Sequence, residues 1–483
     1  MPELSHRHRM LVLAICCMSL LIVSIDTTVL NVALPSMQKE LHASVAGLQW
    51  TIDAYTLVLA SLLMLAGSTA DRIGRRKVFV AGLVLFTLGS VLCSLAPNLD
   101  SLIAFRMVQA VGGSMLNPVA MSIITNTFTD PRERARAIGA WGAVVGISLA
   151  AGPLVGGLLV DSVGWRSIFW INLPVGLAAL LLTLRYVPES RAAKARRPDP
   201  VGQLLVIALL ASLTYAIIEA PTSGAVEIVA FGAVAVASLL GLLSYERRRT
   251  EPLVDLRFFH SAPFSGATVI AVAGFAALSG FLFLSTLYLQ NVRGLDALHA
   301  GLWMLPMAAM CFVCAPLSGR LVGSRGPRIP LLIAGVAMTA SGVLFAAFQG
   351  ETSNTTLVIG YVLFGLGFGF VNAPITNTAV SGMPRSQAGV AAAIASTSRQ
   401  IGGTLGVAVI GAVLASGVTT TAYKATFVSA ASPAWWIIAG CGLAVLFLGA
   451  LTTGRWARRT AAETAARLEP EASETRDTAG VRA

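Results

Sequence analysis

The sequence predicts an all-α membrane protein with about fourteen transmembrane helices. Its mean hydropathy is +0.76, 55% of its residues are hydrophobic and 12% are charged. A soluble domain with a hydrated surface does not carry such a composition. Apolar runs of about twenty residues recur along the chain, and each can cross a hydrocarbon core of roughly 30 Å. The lipid bilayer is therefore the first predicted partner.

Fourteen apolar runs lie between polar breaks, and we predict a membrane-spanning helix for each. The predicted spans are 11–33, 47–69, 78–97, 101–125, 137–160, 167–187, 201–219, 225–244, 264–288, 300–320, 330–349, 355–379, 393–416 and 434–453. An even number of spans places both termini on one side of the membrane. The first run lacks a small-residue cleavage site, so we expect it to be a retained helix.

The formal net charge of +11 follows the membrane topology. A basic surface can attract nucleic acid, but most of these Lys and Arg residues lie in alternate loops or in the termini. The basic loops are 71–77, 131–136, 191–197, 247–257 and 320–328. This positive-inside distribution predicts a multi-pass plasma-membrane protein with both termini in the cytoplasm and no nucleic-acid partner. The composition, rich in Ala, Gly and Arg, favours a bacterial source.

The sequence gives no sign of a metal, a cofactor or enzymatic chemistry. All six cysteines lie in apolar spans, where thiols behave as small hydrophobic groups. Cys311 and Cys314 form a CxxC pair, but no His or second CxxC lies nearby in the sequence to complete a metal site. The five His residues lie in termini or loops, and no GxxxxGK[ST] loop occurs. We therefore predict no ATPase domain and no enzyme.

A weak internal repeat suggests two related halves. Segment 67–76 aligns with 319–328, segment 112–118 aligns with 367–374, and the Gly-rich fifth span resembles the thirteenth. Chance similarity among Gly and Ala residues in lipid is the alternative explanation. Duplicated halves with a site between them are a transporter architecture.

The repeat leaves the seventh and eighth spans without a counterpart, so we predict that they are inserted between two six-helix bundles. The predicted organisation is a first bundle at 1–190, two inserted helices with basic flanking loops at 191–258, a second bundle at 259–454 and a cytoplasmic, disordered tail at 455–483.

Three charged residues are predicted to lie inside the membrane: Asp26, Asp53 and Arg106. A charge in a membrane helix costs a few kcal/mol on insertion scales, so it is rarely present without pairing, protonation or a function. We estimate each to lie about 8 to 10 Å from the outer face, from about 1.5 Å per residue. We predict that Arg106 neutralises Asp26, or shares it with Asp53, and that protonation or a cationic substrate breaks the pairing. A structural role for Asp26 and simple hydration of Asp53 are the alternatives.

Two further patterns indicate moving parts. The loop after the second span reads Gly-Ser-Thr-Ala-Asp-Arg-Ile-Gly-Arg-Arg-Lys, and its candidate gating residues are Gly67, Asp71, Arg72, Gly74, Arg75 and Arg76. Asp71 at a helix end can pair with Arg residues and hold the cytoplasmic side shut. In the fifth span, small residues and a proline favour a tight, adjustable helix interface, through Gly146, Gly152, Pro153, Gly156 and Gly157.

Five sequence motifs lie in segments 25–35, 67–77, 105–112, 142–157 and 165–176. Through these motifs, the chain resembles the fourteen-helix drug:proton antiporters of the major facilitator superfamily. The resemblance covers almost the whole chain. It implies that Gln109 accompanies Arg106 in the fourth-helix motif, although Ala110 stands where the family usually has Gly. Segments 301–306 and 399–403 match later landmarks, with Arg399 either reaching the translocation path or extending to the interface.

The resemblance implies a secondary transporter that exports small amphipathic drugs or an antibiotic in exchange for protons. The major facilitator fold then places a cavity between two bundles that rock to give alternating access. The span-five pattern is characteristic of antiporters in this superfamily, which favours export. Proton-coupled uptake of a small solute is the alternative within transport. A membrane sensor or scaffold that has lost transport is the alternative of another class.

Overall fold

The computed structural model describes residues 5–192, 199–249, 252–347, 353–381, 383, 387–418 and 423–468. The described residues are almost entirely helical and contain no strand. Fourteen helical segments are long and apolar enough to cross a membrane, which agrees with the predicted number. The all-α membrane fold predicted from the sequence is thus confirmed.

The chain starts with seven helices that we call the N-terminal half. They are α1 (His6–Glu40), α2 (Val45–Ile73), α3 (Arg75–Ser94), α4 (Leu99–Thr127), α5 (Pro131–Ser162), the short α6 (Ser167–Trp170) and α7 (Asn172–Tyr186). Side-chain caps start several of them. Asn98 and Ser101 form a reciprocal capping box on α4, and Asp130 with Pro131 starts α5.

Two helices then precede the C-terminal half, which we define as α10–α15. The remaining helices are α8 (Pro200–Ile218), α9 (Ala225–Glu246), α10 (Ala262–Leu287), α11 (Ala297–Arg325), α12 (Arg328–Ala346), α13 (Asn354–Val380), α14 (Ala388–Gly417), α15 (Tyr423–Leu451) and α16 (Arg455–Leu468). A 3₁₀ turn, Leu256–His260, precedes α10, and a π-helical turn, Tyr288–Val292, extends it.

Two ends of the molecule are distinguished below. The basic end carries the loops at 71–77 and 320–328, and the opposite end carries the loop between α1 and α2. At the core of the C-terminal half, an aromatic cluster joins α10, α12, α13 and α15. Phe281 stacks on Phe364 with ring centroids 3.9 Å apart, and Phe345 stacks on Trp435 at 4.6 Å. Such ring pairs add specific geometry to apolar packing.

The helix α8 packs against one helix from each half, α2 and α14. Leu210 lies with Leu57 of α2 and Ile401 of α14 in one apolar cluster. The Gln203 amide donates a 2.5 Å hydrogen bond to the Ser61 carbonyl, which fixes α8 to α2. The next helix, α9, packs on α8 and leaves nearly all of its surface exposed, as expected for a helix surrounded by lipid.

Two helix boundaries differ from the sequence prediction. The first span was predicted to end at residue 33, but α1 continues through Pro35 to Glu40. The last span was predicted to begin at residue 434, but α15 begins at Tyr423 and contains Pro433. A membrane helix tolerates proline where neighbouring helices and adjusted local geometry accommodate the lost hydrogen bond.

The predicted disorder of the tail at 455–483 is wrong for residues 455–468, which form α16. Charge and Ala content suggested a segment outside the core, but the helix is amphipathic. It buries Ala457, Ala461, Thr464 and Leu468, and it packs on α10 and the 3₁₀ turn. The Thr460 hydroxyl accepts a 3.0 Å hydrogen bond from the Ala262 N–H at the start of α10. Residues 469–483 lie outside the described residues.

Candidate functional site

An ion pair is buried inside the N-terminal half. Arg106 Nη1 of α4 lies 2.5 Å from Asp26 Oδ2 of α1, and each side chain is 1% exposed. The predicted contact between Asp26 and Arg106 is present in the structure. Asp26 lies fourteen residues from the end of α1, about 21 Å at 1.5 Å per residue, which is deeper than the sequence estimate. The extra turns of α1 beyond residue 33 account for the difference.

Three uncharged side chains complete a network around this ion pair. Gln109 Nε2 donates to Asp26 Oδ1 at 2.8 Å and to Ser90 Oγ at 2.7 Å, while its Oε1 accepts from Arg106 at 2.7 Å. Asn172 Nδ2 donates to the same two oxygens, at 2.9 Å and 3.1 Å. Helices α1, α3, α4 and α7 therefore meet at one carboxylate. Hydrogen bonds to both carboxylate oxygens are what make this buried ion pair tolerable.

Aromatic rings enclose the guanidinium. The Tyr55 ring centroid lies 4.2 Å from Arg106 Cζ, and the Phe169 ring centroid lies at 5.8 Å. Arg106 Nε also points to the Thr51 carbonyl at 3.4 Å. Cation–π contacts are strongest where the cation is desolvated, as it is here. The Asn172 Oδ1 and Tyr55 hydroxyl oxygens have no hydrogen-bond partner, so the network retains capacity for another donor or proton.

Asp53 does not join this ion pair, in contrast to the alternative in which it shares Arg106. Its side chain is fully buried, and its polar contact is a 3.5 Å hydrogen bond from Thr56, while Oδ2 has no partner. Thr56 accepts a 2.9 Å hydrogen bond from Thr404 of α14. Gln49, one turn away on α2, donates to two carbonyls of α14. Asp53 therefore lies on the face of α2 that contacts the other half of the protein.

The loop at 67–76 is held within its own half. Asp71 Oδ1 accepts from Arg75 Nη2 at 2.8 Å and from Nε at 3.0 Å. The Arg75 N–H donates to the Ser190 carbonyl at 2.9 Å, and the Arg76 N–H donates to Glu189 Oε1 at 3.1 Å. The loop is thus tied to the chain that follows α7. The predicted Asp71–Arg pairing is present, but in this conformation it does not join the halves.

Gly74 lies at the tight turn between α2 and α3. Its φ of +125° is a conformation that side chains disfavour, and a Cβ there would lie 2.6 Å from Glu189 Oε1. The turn between α2 and α3 therefore requires glycine. Of the other predicted loop residues, Gly67 packs near Pro118 of α4, whereas Arg72 is exposed.

The glycines of α5 make two close interfaces. A Cβ on Gly152 would overlap the Thr28 hydroxyl of α1, and one on Gly156 would lie 3.1 Å from Val29. On the other side, a Cβ on Gly157 would lie 2.5 Å from Leu298 Cα of α11.

The Pro153 carbonyl packs against Gly301 of α11, whereas Gly146 faces Phe312 at an ordinary 3.8 Å. Helix α5 therefore lies tightly between α1, which carries Asp26, and the C-terminal half.

Hydrogen bonds between the halves cluster at the opposite end. Besides the contacts of Gln49 and Thr56, Gln290 donates to the Val32 carbonyl at 2.8 Å, and Asp161 accepts from the Ala297 and Leu298 N–H groups at 3.2 and 2.8 Å. At the basic end, the described part of the loop at 67–76 bonds to its own half. Among the described residues, the halves are therefore closed together at the opposite end and less tightly joined at the basic end.

Arg399 lies in α14 and is partly exposed. It contacts the hydroxyls of Thr376 and Ser396, and its guanidinium faces the Phe275 ring at 5.9 Å. The helix begins earlier than predicted, at Ala388, so Arg399 lies about 16 Å from its first residue at 1.5 Å per residue. Arg399 therefore lies about three turns into α14.

Sequence reasoning missed three contributors to these sites: Ser90, Asn172 and Glu189. Ser90 and Asn172 are uncharged, and Glu189 is an acid in the segment that follows α7. None of the three is an unusual residue type for its position in the sequence. Asn172 lies within the segment 165–176 that carried the family resemblance, which was the available signal. Their roles depend on contacts between helices far apart in the chain.

Fourteen membrane-length helices, two halves in contact and a buried charge network define a polytopic membrane transporter. Residues 16–407 match the sequence profile of the Major Facilitator Superfamily. The chain belongs to this superfamily. As a member of a transporter family, it is a transporter and not an enzyme.

Similar proteins include drug-resistance proteins. The multidrug resistance protein Stp of Mycobacterium tuberculosis is 39% identical over 418 residues, 86% of this chain and 78% of that protein. The tetracenomycin C resistance and export protein of Streptomyces glaucescens is 37% identical over 400 residues, 82% of this chain and 74% of that protein.

Solved structures agree on the fold. An inward-facing, occupied structure of a bacterial homologue of the human lysosomal transporter Spinster matches with a TM-score of 0.66 and 18% identity, covering 95% of this chain and 98% of that one.

Proposed function

We propose that this protein exports small amphipathic drugs or an antibiotic across the plasma membrane in exchange for protons. The observation that carries the proposal is the buried pair of Asp26 and Arg106, enclosed by hydrogen bonds within a membrane helix bundle. Buried ionisable groups of this kind mark proton and substrate paths in transporters. The names of the relatives, which refer to multidrug resistance and to resistance and export, support efflux over uptake.

The basic end is the cytoplasmic end under the positive-inside rule. With this orientation, both termini are cytoplasmic, and the conformation described here is closed to the outside. Substrate then enters from the cytoplasm or the inner leaflet. Opening the opposite end requires separation of α2 from α14 and of α5 from α11.

Asp53 is positioned to exchange a proton during that separation. It lies on the face of α2 that contacts α14, between Gln49 and Thr56. A carboxyl buried without a cation costs less free energy when it is neutral. Separation of α2 from α14 hydrates the carboxyl from outside, and closure buries it again. Asp53 therefore serves as the proton site that opening exposes, while Asp26 supplies a charge pair.

The α1–α5 interface supports coupling between the separation of the two halves and the Asp26–Arg106 pair. Asp26 and Thr28 lie on different faces of α1, and Thr28 packs on Gly152 and donates to the Ser148 carbonyl at 3.2 Å. A change in the pairing of Asp26 shifts α1 against α5. Helix α5 in turn contacts α11 of the other half.

Efflux of ethidium from cells, with and without a protonophore, tests the proposal. Wild-type protein is expected to give protonophore-sensitive efflux, and Asp26→Asn and Asp53→Asn are each expected to reduce it strongly. Asp100→Asn is the matched control, because Asp100 is exposed at the start of α4 and carries the same charge change. Equal efflux in wild type and both variants would contradict proton coupling through these carboxyls.

Everted vesicles separate export from its alternatives. A proton-driven exporter accumulates substrate in such vesicles when the interior is acidified. Accumulation by right-side-out vesicles instead would favour uptake. If Asp26→Asn and Asp53→Asn left every phenotype intact and no solute moved, the sensor or scaffold alternative would be favoured.

A further inference from the structure

Arg399 is a cation that has no acidic partner among the described residues. Its Nη1 contacts the Ser396 hydroxyl at 3.4 Å and its Nη2 contacts the Thr376 hydroxyl. Its Nε is buried and has no hydrogen-bond partner. Guanidinium groups present five donors in a fixed planar fork that matches a carboxylate. Much of that donor capacity remains unused.

The sequence explains why no acid pairs with Arg399. From residue 259 to 454 it contains two acidic residues, Asp296 and Glu351. Asp296 caps the start of α11 at the opposite end, and Glu351 lies outside the described residues. None of the helices α10–α15 contains Asp or Glu. Thr404, which meets α2 beside Asp53, lies five residues further along α14, about 7.5 Å away at 1.5 Å per residue. Among the described residues, no carboxylate forms an ion pair with Arg399.

The contrast with Arg106 shows what Arg399 lacks. Both are intramembrane arginines that face an aromatic ring. Arg106 has a carboxylate, an amide oxygen and a backbone carbonyl as acceptors. Arg399 has two neutral hydroxyls. A cation within a membrane protein that is not paired internally commonly faces a substrate path.

The surroundings of Arg399 indicate how a ligand would reach it. Thr376 and its neighbour Asn377 are exposed on α13, on the basic side of the interhelix contacts that close the opposite end. Phe275 packs edge to face on Phe368 with ring centroids 5.2 Å apart, beside the guanidinium. A cation, two hydroxyls and an aromatic surface therefore adjoin the less tightly joined end of the molecule.

We propose that Arg399 is a specificity-determining residue that binds an anionic oxygen, such as a carboxylate, on an aromatic substrate. This inference rests on the proposed transport function and narrows its substrate class. The substrate supplies the acceptor that α10–α15 lack, and its ring packs against Phe275. Bidentate pairing of arginine with a carboxylate is strong and directional. An uncharged analogue of the same shape loses that interaction.

Equilibrium dialysis with purified protein in detergent tests the assignment. The probes are anthraquinone-2-carboxylate and the uncharged anthraquinone-2-carboxamide. Arg399→Gln is expected to weaken carboxylate binding about tenfold or more, the scale of a charge-assisted hydrogen bond, and to change carboxamide binding less than about twofold. Arg399→Lys retains part of the preference, because it keeps the charge and loses the planar fork.

Arg325→Gln is the matched control. It removes one positive charge from the exposed last turn of α11 and is expected to leave both affinities unchanged. Retained carboxamide binding by Arg399→Gln shows that this variant is folded. Equal losses for both probes, or no loss for either, would overturn the assignment.

A transport measurement keeps this inference separate from the proposed function. If everted vesicles show no proton-driven transport of either ethidium or anthraquinone-2-carboxylate but Arg399→Gln still discriminates between the probes, the proposed function fails and the binding assignment stands. If transport is proton-driven and the probes bind equally well to wild type and Arg399→Gln, the assignment fails and the proposed function stands.

Discussion

Asp26 and Arg106 illustrate how a membrane protein places charge in its interior. Each loses its hydration, and the pair is compensated by Gln109, Asn172 and Ser90. Gly89 of α3 permits this arrangement, because a Cβ there would lie 2.5 Å from Gln109 Cα. Removing one partner leaves an uncompensated buried charge, whereas removing both charges does not.

A double substitution tests this balance. Asp26→Asn or Arg106→Gln alone is expected to destabilise the protein by about 3–5 kcal/mol, and the double variant is expected to recover most of that loss. The midpoint of thermal unfolding of purified protein reports the change. Transport is expected to stay absent in the double variant, because the proposed mechanism uses both charges. Additive losses in the double variant would show that the two side chains do not compensate each other.

At the residue scale, the sequence identified the charges but not their network. An intramembrane Asp or Arg is conspicuous because its insertion is costly, so Asp26, Asp53 and Arg106 could be found. Which acid pairs with Arg106 depends on how α1 and α2 are rotated, and hydropathy does not encode that rotation. Asn172 and Ser90 are ordinary residues until α3 and α7 bring them to Asp26.

Helix α5 packs so closely against α1 and α11 that the glycines at these contacts leave no room for a larger side chain. Gly152→Ala is expected to abolish or strongly slow transport, since the new methyl group overlaps the Thr28 hydroxyl. Gly146→Ala is the matched control, because its nearest neighbour, Phe312, is 3.8 Å from the added atom. Initial ethidium efflux rates, normalised to the amount of protein in the membrane, compare the two. Equal rates would mean that α1 and α5 can separate at no cost.

The amphipathic helix α16 gives a second test at this scale. Ala461→Arg places a charge on the face packed against α10 and is expected to lower the thermal unfolding midpoint by several degrees. Ala462→Arg adds the same charge on the exposed face and is expected to have little effect. A matching decrease in both variants would show that α16 does not dock in solution.

At the scale of helices, the sequence predicted the membrane spans correctly, because the length of an apolar run decides whether a helix can cross the membrane. Fourteen spans were found because each needs about twenty apolar residues. Helix ends were less predictable, since α1 continues through Pro35 and α15 through Pro433 with support from neighbouring helices. The helix α16 was missed because its buried face consists mainly of small residues, which give a weak hydropathy signal.

At the scale of the whole molecule, the proposed alternating access requires the contacts at the opposite end to break. In a background with the native cysteines replaced, Gln49→Cys with Ala408→Cys places two thiols where α2 meets α14. A short bifunctional maleimide is expected to stop efflux in the double variant, because the halves can no longer separate there. Each single-cysteine variant, treated alike, is the control. Full efflux after complete crosslinking would show that α2 and α14 do not separate during transport.

Helix α8 covers one of the two lines of contact between the halves, so the two sides of the molecule expose different surfaces to the bilayer. The halves meet along two seams, α2 with α14 and α5 with α11. Helix α8 lies along the first seam, from Ile218 beside Ala408 to Gln203 beside Ser61. Among the described helices, none covers the second seam in this way. Under the proposed function, we therefore expect a lipid-dissolved substrate to enter laterally beside α5 and α11, because α8 and α9 cover the other seam.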